Sequence, residues 1–263
     1  MQTEIRDGIL AGISVLVTRP AHQADRLCQL IEAAGGRAVR FPVIDIEPPA
    51  DPQALRTLLE DIAGYDLAIF VSANAVEFAL AALGKQGLPS SLQRAAVGKA
   101  TAKALASQGY PPQIVPAEPY NSEALLALPE LHSVQGKQII IFRGEGGREL
   151  LAETLTARGA RVSYAECYRR LRPQPDLAPL LAVWHNNAPL VVVATSNEGL
   201  QNLFDMLAPQ HTESLRATPL VVISKRAAVL AQSLGFKRQI EVAQSASDEA
   251  IMAALAHLRQ LKG

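Results

Sequence analysis

"LVTRPAHQADRLCQLIEAAGGRAVRF", Leu16–Phe41, decides the fold because the chain says it twice. Its counterpart is "IFRGEGGRELLAETLTARGARVSYAE", Ile141–Glu166. Each begins with the end of a β-branched strand, passes a small-residue turn, and enters an amphipathic helix. In the first copy Leu27, Leu30 and Ile31 fall at helical spacing. Gly35 and Gly36 stop that helix, and Arg37–Phe41 reads as the next strand. Strand, helix, strand in this order predicts a crossover unit and a parallel sheet.

Further copies lie outward from this pair. "LAIFVSANAVEFALAAL" from Leu67 resembles "LVVVATSNEGLQNLFDML" from Leu190, pairing Ser72 with Ser196. "AAVGKATAKALASQGY" from Ala95 resembles "LVVISKRAAVLAQSLGF" from Leu220, and "NSEALLAL" resembles "SDEAIMAAL". The copies do not come in the same order. The opening strand pair, 13–18 and 37–41, has its counterpart at 138–142 and 160–164, after the strands at 67–71, 94–97 and 113–115. The strands at 190–194, 219–223 and 239–242 complete the other half. One half is therefore read as a circularly permuted copy inserted into the other. Domain one is expected at 1–41 plus 174–263 and domain two at 50–164, with linkers at 42–49 and 165–173. Both linkers follow a strand and end in proline, so they are expected to lie side by side as a hinge of two cords. The fold class is α/β: two flavodoxin-like or Rossmann-like domains, each a five-stranded parallel sheet flanked by helices, joined by a two-stranded antiparallel linker.

Composition bounds the function. The 263 residues are 49% hydrophobic and 19% charged, enough for two real cores. With 25 basic and 25 acidic residues the net charge is zero, which argues against a nucleic-acid partner. No apolar run reaches the roughly 18 residues of a membrane span, and the start, MQTEIRDGILAG, lacks a signal-peptide core. A cytoplasmic chain is expected, with Cys28 and Cys167 reduced and Cys28 a small buried residue. The five histidines are scattered and no Cys or His pair has zinc-ligand spacing, so no metal is expected.

In a parallel sheet, ligands meet the carboxyl ends of the strands, where helix N-termini present free N–H groups. The turns there are Thr18-Arg19-Pro20, Ser72-Ala73-Asn74, Gly98 to Thr101, Arg143 to Arg148, and Thr195-Ser196-Asn197. Taken singly, their Ser, Thr and Asn residues are ordinary helix caps. The glycines after Arg143 form neither a phosphate loop nor a dinucleotide fingerprint, so no nucleotide cofactor is expected. No histidine falls at these turns, which excludes a Ser-His-Asp arrangement. Together, small capping turns with Arg19, Arg143 and Arg148 suit a ligand carrying several carboxylates.

The set of motifs is specific where each alone is weak. Thr-Arg-Pro near the start, Ile-Phe-Val-Ser-Ala-Asn-Ala-Val at 69–76, Val-Gly-Lys-Ala-Thr-Ala at 97–102, Phe-Arg-Gly-Glu-Gly-Gly-Arg at 142–148 and Glu-Cys-Tyr-Arg at 166–169 together resemble the uroporphyrinogen-III synthase family. That resemblance spans nearly the whole chain. It implies an enzyme that closes hydroxymethylbilane, a linear tetrapyrrole with eight carboxylates, with loss of water and inversion of ring D through a spiro intermediate. It further implies no cofactor, a cytoplasmic monomer, and hand-over of substrate from hydroxymethylbilane synthase. By matching position Tyr168 resembles the family's linker tyrosine, which assists departure of the hydroxyl, and Thr101 the threonine of the Val-Gly-x-x-Thr-Ala turn. Arg19, Ser72, Asn74, Gly98, Arg143, Gly144, Arg148 and Ser196 are the corresponding substrate-binding candidates. One departure stands out: Ser224-Lys225-Arg226-Ala227 occupies the place where the family often has Gly-x-Thr-Thr. Lys225 and Arg226 either meet substrate carboxylates or lie in solvent, and the residues leave both open. A non-catalytic sensor of an anionic small molecule and a nucleotide-dependent transferase are the rival readings, the latter weakened by the missing phosphate loop.

Overall fold

A computed structural model describes residues 8–260. Residues 1–7 and 261–263, which the sequence reading assigned to domain one, lie outside the described residues. The strands are β1 (Ser14–Val17), β2 (Arg37–Arg40), β3 (Asp45–Glu47), β4 (Leu67–Phe70), β5 (Gln93–Ala96), β6 (Gln138–Gly144), β7 (Arg161–Leu171), β8 (Leu190–Ala194), β9 (Leu220–Val222) and β10 (Ile240–Val242). The helices of the first half are α1 (Ala21–Ala33), α2 (Pro52–Glu60), α3 (Ala73–Leu83), α4 (Lys99–Ser107) and α5 (Ser122–Leu126). Those of the second are α6 (Leu150–Ala157), α7 (Ala178–His185), α8 (Asn197–Met206), α9 (Pro209–Arg216), α10 (Lys225–Ser233) and α11 (Asp248–Gln260).

Contacts divide the chain into two units, one running to Asp45 and resuming at Leu171, the other spanning Ile46–Arg170. The first unit holds a sheet of order β10-β9-β8-β1-β2, parallel throughout. Val15, Val17, Val191, Val193 and Val221 on one face pack with Leu27 and Ile31 of α1 and Ile251 and Leu255 of α11. Leu16 and Val192, on the alternate face, are fully buried too.

The second unit holds a sheet of order β3-β7-β6-β4-β5, in which β7, β6, β4 and β5 pair in parallel. Ala68, Phe70, Ile140 and Phe142 face one core with Leu55, Leu59, Val76 and Ala79. Leu67, Ile69, Ile139 and Ile141 face another with Leu125, Leu131, Leu151 and Leu155. The Phe70 and Phe142 rings stack at 4.6 Å and 7°. Burial on both faces is why these strands read as unbroken apolar runs rather than alternating ones.

Three expectations need correction. The strand expected at 113–115 is reduced to one parallel bridge, Ile114 to Ala95. Pro111, Pro112 and Pro116 flank it and have no N–H to extend a ladder. The fifth place in that sheet is taken by β3, a segment expected within the linker at 42–49. The strand expected to stop at Tyr164 continues as β7 to Leu171. Two helices also went unread. α2 is announced by the Asp51 side chain, which accepts from Gln53 N–H and Ala54 N–H, with Pro52 in the first turn. α9 buries only Leu215, so it lacks an apolar face to announce it.

Candidate functional site

The parallel ladder of β6 and β7 slips at its carboxyl end. Arg143 is opposite Glu166, but Gly144 is opposite Tyr168, so Cys167 is the extra residue of a bulge. A regular strand would send Cys167 and Tyr168 to opposite faces. Here both are buried, at 1% and 3% exposure. The bulge therefore aims Tyr168 inward, and Glu145 N–H donates to the Tyr168 carbonyl at 2.7 Å to hold the slipped register. The Cys167 thiol donates to the Arg143 carbonyl at 3.2 Å, and burial pushes its pKa up to about 12. That is a structural thiol, not a nucleophile.

Tyr168 lies across the end of β6. A Cβ on Gly144 would sit 2.7 Å from both Cε2 and Cζ of the ring, so only glycine leaves room for it. Phe78 of α3 packs beside the ring at 5.9 Å between centroids. The Arg170 guanidinium lies 5.8 Å from its centroid. The phenol oxygen is 3.1 Å from Ser72 Oγ, just beyond the carboxyl end of β4. Strand β5 follows β4 on one side and β7 follows β6 on the other, so this pair of strands is where the winding of the sheet reverses. Such a switch point is where open α/β sheets place their ligands.

Arg143 is 4% exposed and turned back into its own loop. Its Nη2 donates to the Gly146 carbonyl, its Nε to the Gly144 carbonyl at 3.2 Å, and its Nη1 pairs with Glu149 at 3.1 Å. The guanidinium also lies 4.4 Å from the Tyr164 ring centroid. Gly147 has φ +109°, and a side chain there would meet Arg143 Nη2 at 2.8 Å. Glu149 also accepts from the Tyr164 hydroxyl at 2.6 Å. That bond, with the Arg143 pair, holds the Glu149 carboxyl below its usual range. Burial, and then the bond to Glu149, push Tyr164 up to about 12. Nearby, a groove of about 500 Å³ is lined by Asp51, Leu55, Glu145, Tyr164 and Glu166. Three carboxylates make it repel a polyacid.

In the first unit the corresponding turns are built from caps and closed ion pairs. Thr18 donates to the Val193 carbonyl at 2.8 Å, tying β1 to β8. Arg19 Nη1 pairs with Asp248 at the start of α11, and both side chains are nearly buried. Ser196 Oγ caps α8 by accepting from Gly199 N–H at 2.9 Å, and Ser224 Oγ caps α10 by accepting from Ala227 N–H at 3.1 Å. Lys225 and Arg226 are exposed.

The structure thus brings Ser72, Gly144 and Tyr168 into one cluster, with Arg143 adjoining it and engaged within its own loop. Asn74 lies in the first turn of α3, capped by Ser72. Thr101 is buried in the first turn of α4, behind Gly98 as the cap, and makes no side-chain hydrogen bond among the described residues. Arg148 is on the surface, paired with Glu123 at 2.6 Å. The sequence reading missed Glu149, Tyr164, Cys167 and Phe78. A bulge leaves no mark in a single sequence, and Glu149 matters only through partners brought to it by the fold. Of the basic run after Tyr168, Arg169 meets Glu47 at 3.0 Å and Arg172 meets Asp205 at 3.1 Å.

Fold and site define a doubly wound parallel α/β protein with a buried phenol at the switch point of one sheet. The family model described as uroporphyrinogen-III synthase HemD matches residues 25–253. The uroporphyrinogen-III synthase of Salmonella typhimurium is 39% identical over 246 residues, covering 92% of this chain and all of that protein. That of Escherichia coli K12 is 37% identical over the same shares. A mutant uroporphyrinogen III synthase from the extreme thermophile Thermus thermophilus shares the fold with TM-score 0.63 at 20% identity, covering 95% of this chain and all of that one. The chain belongs to the uroporphyrinogen-III synthase family.

Proposed function

We propose that this chain closes hydroxymethylbilane to uroporphyrinogen III, with loss of water and inversion of ring D. The observation that carries the reading is the Tyr168 phenol, seated by Gly144 and Ser72 at the carboxyl ends of β4 and β6. The reaction needs a group that assists departure of the terminal hydroxyl and a surface that decides which ring-D carbon attacks. A positioned tyrosine is a weak acid suited to the first. The second is a matter of holding the substrate in one conformation.

Its eight carboxylates call for donors. Backbone N–H groups at the starts of α3 and α4, in the same sheet as Tyr168, are donors of that kind and need no desolvated cation. Arg19 and Arg143 act by holding their turns in shape, since both are already engaged in the protein. Arg148 is different: its pair with Glu123 is exposed and of small worth, so a substrate carboxylate displaces Glu123 readily. Asn74, Gly98 and Thr101 lie in the turns after β4 and β5, and Ser196 lies in the turn after β8 of the other sheet. Exposed Lys225 and Arg226 supply charge where the family's threonine pair is missing.

The finer features of the reading follow from the same grounds. Each unit is a flavodoxin-like domain, supported in the first by the order 2-1-3-4-5 in its own count. The segment of β3 and the last residues of β7 form the two-stranded antiparallel linker. The activity is that of a cyclising carbon–oxygen lyase working as a cytoplasmic monomer, supplied by hydroxymethylbilane synthase. The test is to incubate the protein with freshly made hydroxymethylbilane and separate the oxidised products by chromatography. Type III isomer is expected. Type I alone, as in the protein-free blank, refutes the proposal.

A further inference from the structure

Three serines cap helices after strands in the same manner. Ser72, Ser196 and Ser224 each accept from the N–H three residues on, at 3.0, 2.9 and 3.1 Å. Capping therefore explains all three equally well. Ser72 alone of the three also has its oxygen within bonding distance of a phenol, 3.1 Å from Tyr168 OH. The contact spans 96 positions of sequence, so the fold makes it, not local geometry.

The Ser72 oxygen cannot wander. Its extended backbone, φ −157° and ψ 163°, and the Ala75 N–H fix it, leaving only its proton free to rotate. Tyr168 is fixed as firmly by Gly144 below the ring and Phe78 beside it. Two hydroxyls pinned at this distance have two proton arrangements. With the phenol donating, Tyr168 is a resting side chain. With the serine donating, the phenol proton is turned outward and the phenol oxygen keeps a donor.

We propose that Ser72 is a positioning residue that acts through Tyr168, its hydroxyl donating to the phenol oxygen while the phenol protonates the departing hydroxyl. This rests on the reading of Tyr168 given above. In that step the substrate C–O bond breaks with its electron pair on oxygen. The Tyr168 O–H bond breaks, its proton completes the leaving water, and negative charge collects on the phenol oxygen. The proton released when ring D regains aromaticity restores the phenol, so the enzyme is unchanged. The Ser72 bond joins two neutral groups beforehand and becomes charge-assisted in the transition state, so it favours the transition state over the bound substrate. The gain from neutral to charged partner corresponds to about tenfold in rate.

The test is a set of steady-state and pH-rate measurements on Ser72→Gly, Ser72→Thr, Ser72→Asp and Tyr168→Phe, singly and combined. Glycine is a tolerated cap, so Ser72→Gly keeps the helix and removes only the hydroxyl. It is expected to lower kcat about tenfold with KM little changed. Ser72→Thr is expected to restore the rate. Ser72→Asp, which only accepts, is expected to fall below Ser72→Gly because it draws the phenol proton away from the substrate. In the Tyr168→Phe background Ser72→Gly is expected to cost nothing further. Asn121→Gly removes a cap of the same geometry, the bond its side-chain oxygen accepts from Ala124 N–H at the start of α5, and is expected to keep the wild-type kcat. If Ser72→Gly keeps the wild-type kcat, or if its loss multiplies with that of Tyr168→Phe, the proposal is overturned while Tyr168 stands. If Tyr168→Phe itself turns over undiminished, the reading of Tyr168 falls first and this proposal with it.

Discussion

Gly144→Ala is the sharpest perturbation the structure offers. The added methyl would sit 2.7 Å from Cε2 and Cζ of Tyr168 and 3.2 Å from Cδ2. Carbon atoms in contact prefer about 3.5–4.0 Å, so the ring must retreat by roughly an ångström. Phe78 packs beside the ring, and Tyr168 is 3% exposed within the core cluster, so the ring has little room to move. Gly144 is not among the positive-φ glycines, so alanine carries no backbone strain there and the whole effect is steric. Overpacking of this kind costs about 1–3 kcal/mol. A shift of about 1 Å at a positioned group costs about 10²-fold in turnover. The assay is kcat for type III formation at a temperature well below the melt, beside a thermal melt of the same sample. A modest fall in Tm with a large fall in kcat is expected. Gly64→Ala is the control, because a methyl there meets nothing within 4 Å and Gly64 too lacks a positive φ. If Gly144→Ala turns over at the wild-type rate with its fold intact, the claim that Gly144 seats the phenol is refuted.

The Tyr164–Glu149 bond makes two pH windows. Glu149 is held below its usual range in the fold, so its contribution is present at neutral pH and lost as pH falls through that lowered value. Tyr164 is raised to about 12, so its contribution is complete below about 10 and lost as pH rises toward 12. Urea midpoints against pH should show Glu149→Gln losing the acid component and Tyr164→Phe the alkaline one; unchanged profiles would count against the pair. Asp248→Ala strands Arg19, whose side chain is 11% exposed, and is expected to lower stability by about 3 kcal/mol in a denaturant titration. A loss under about 0.5 kcal/mol would mean the pair is solvated. Both thiols, buried, with Cys28 raised and Cys167 raised to about 12, should resist a thiol reagent at pH 8 until urea is added. Rapid labelling of Cys167 in the native protein would contradict the bulge geometry.

Much of the frame was legible in the residues. Runs such as Ile139–Phe142 and Val191–Val193 are buried on both faces, and a strand buried on both faces writes itself as an unbroken β-branched or aromatic run. Glycine pairs and capping serines marked the helix ends because a turn has few residue solutions. Elements with weak signals were lost instead: α9, with one buried leucine, and β3, three half-buried residues. The segment at 113–115 looked like a strand by its Ile-Val pair and failed because three prolines leave it few donors.

By itself the sequence determined an α/β chain with two sheets of five strands, mostly parallel, and led to the expectation of a permuted repeat with its chemistry in the turns after the strands. Composition and periodicity are local quantities, and that conclusion needs nothing else. The tertiary structure alone decided which side chains meet at those turns. It slipped the β6–β7 ladder by one residue and so turned Tyr168 inward onto Ser72. It closed Arg19 onto Asp248, 229 positions away, and folded Arg143 into its own loop, giving two cations partners that the sequence did not announce. Partnership across such distances is set by how the sheets stack and register, and no single stretch of chain contains that information.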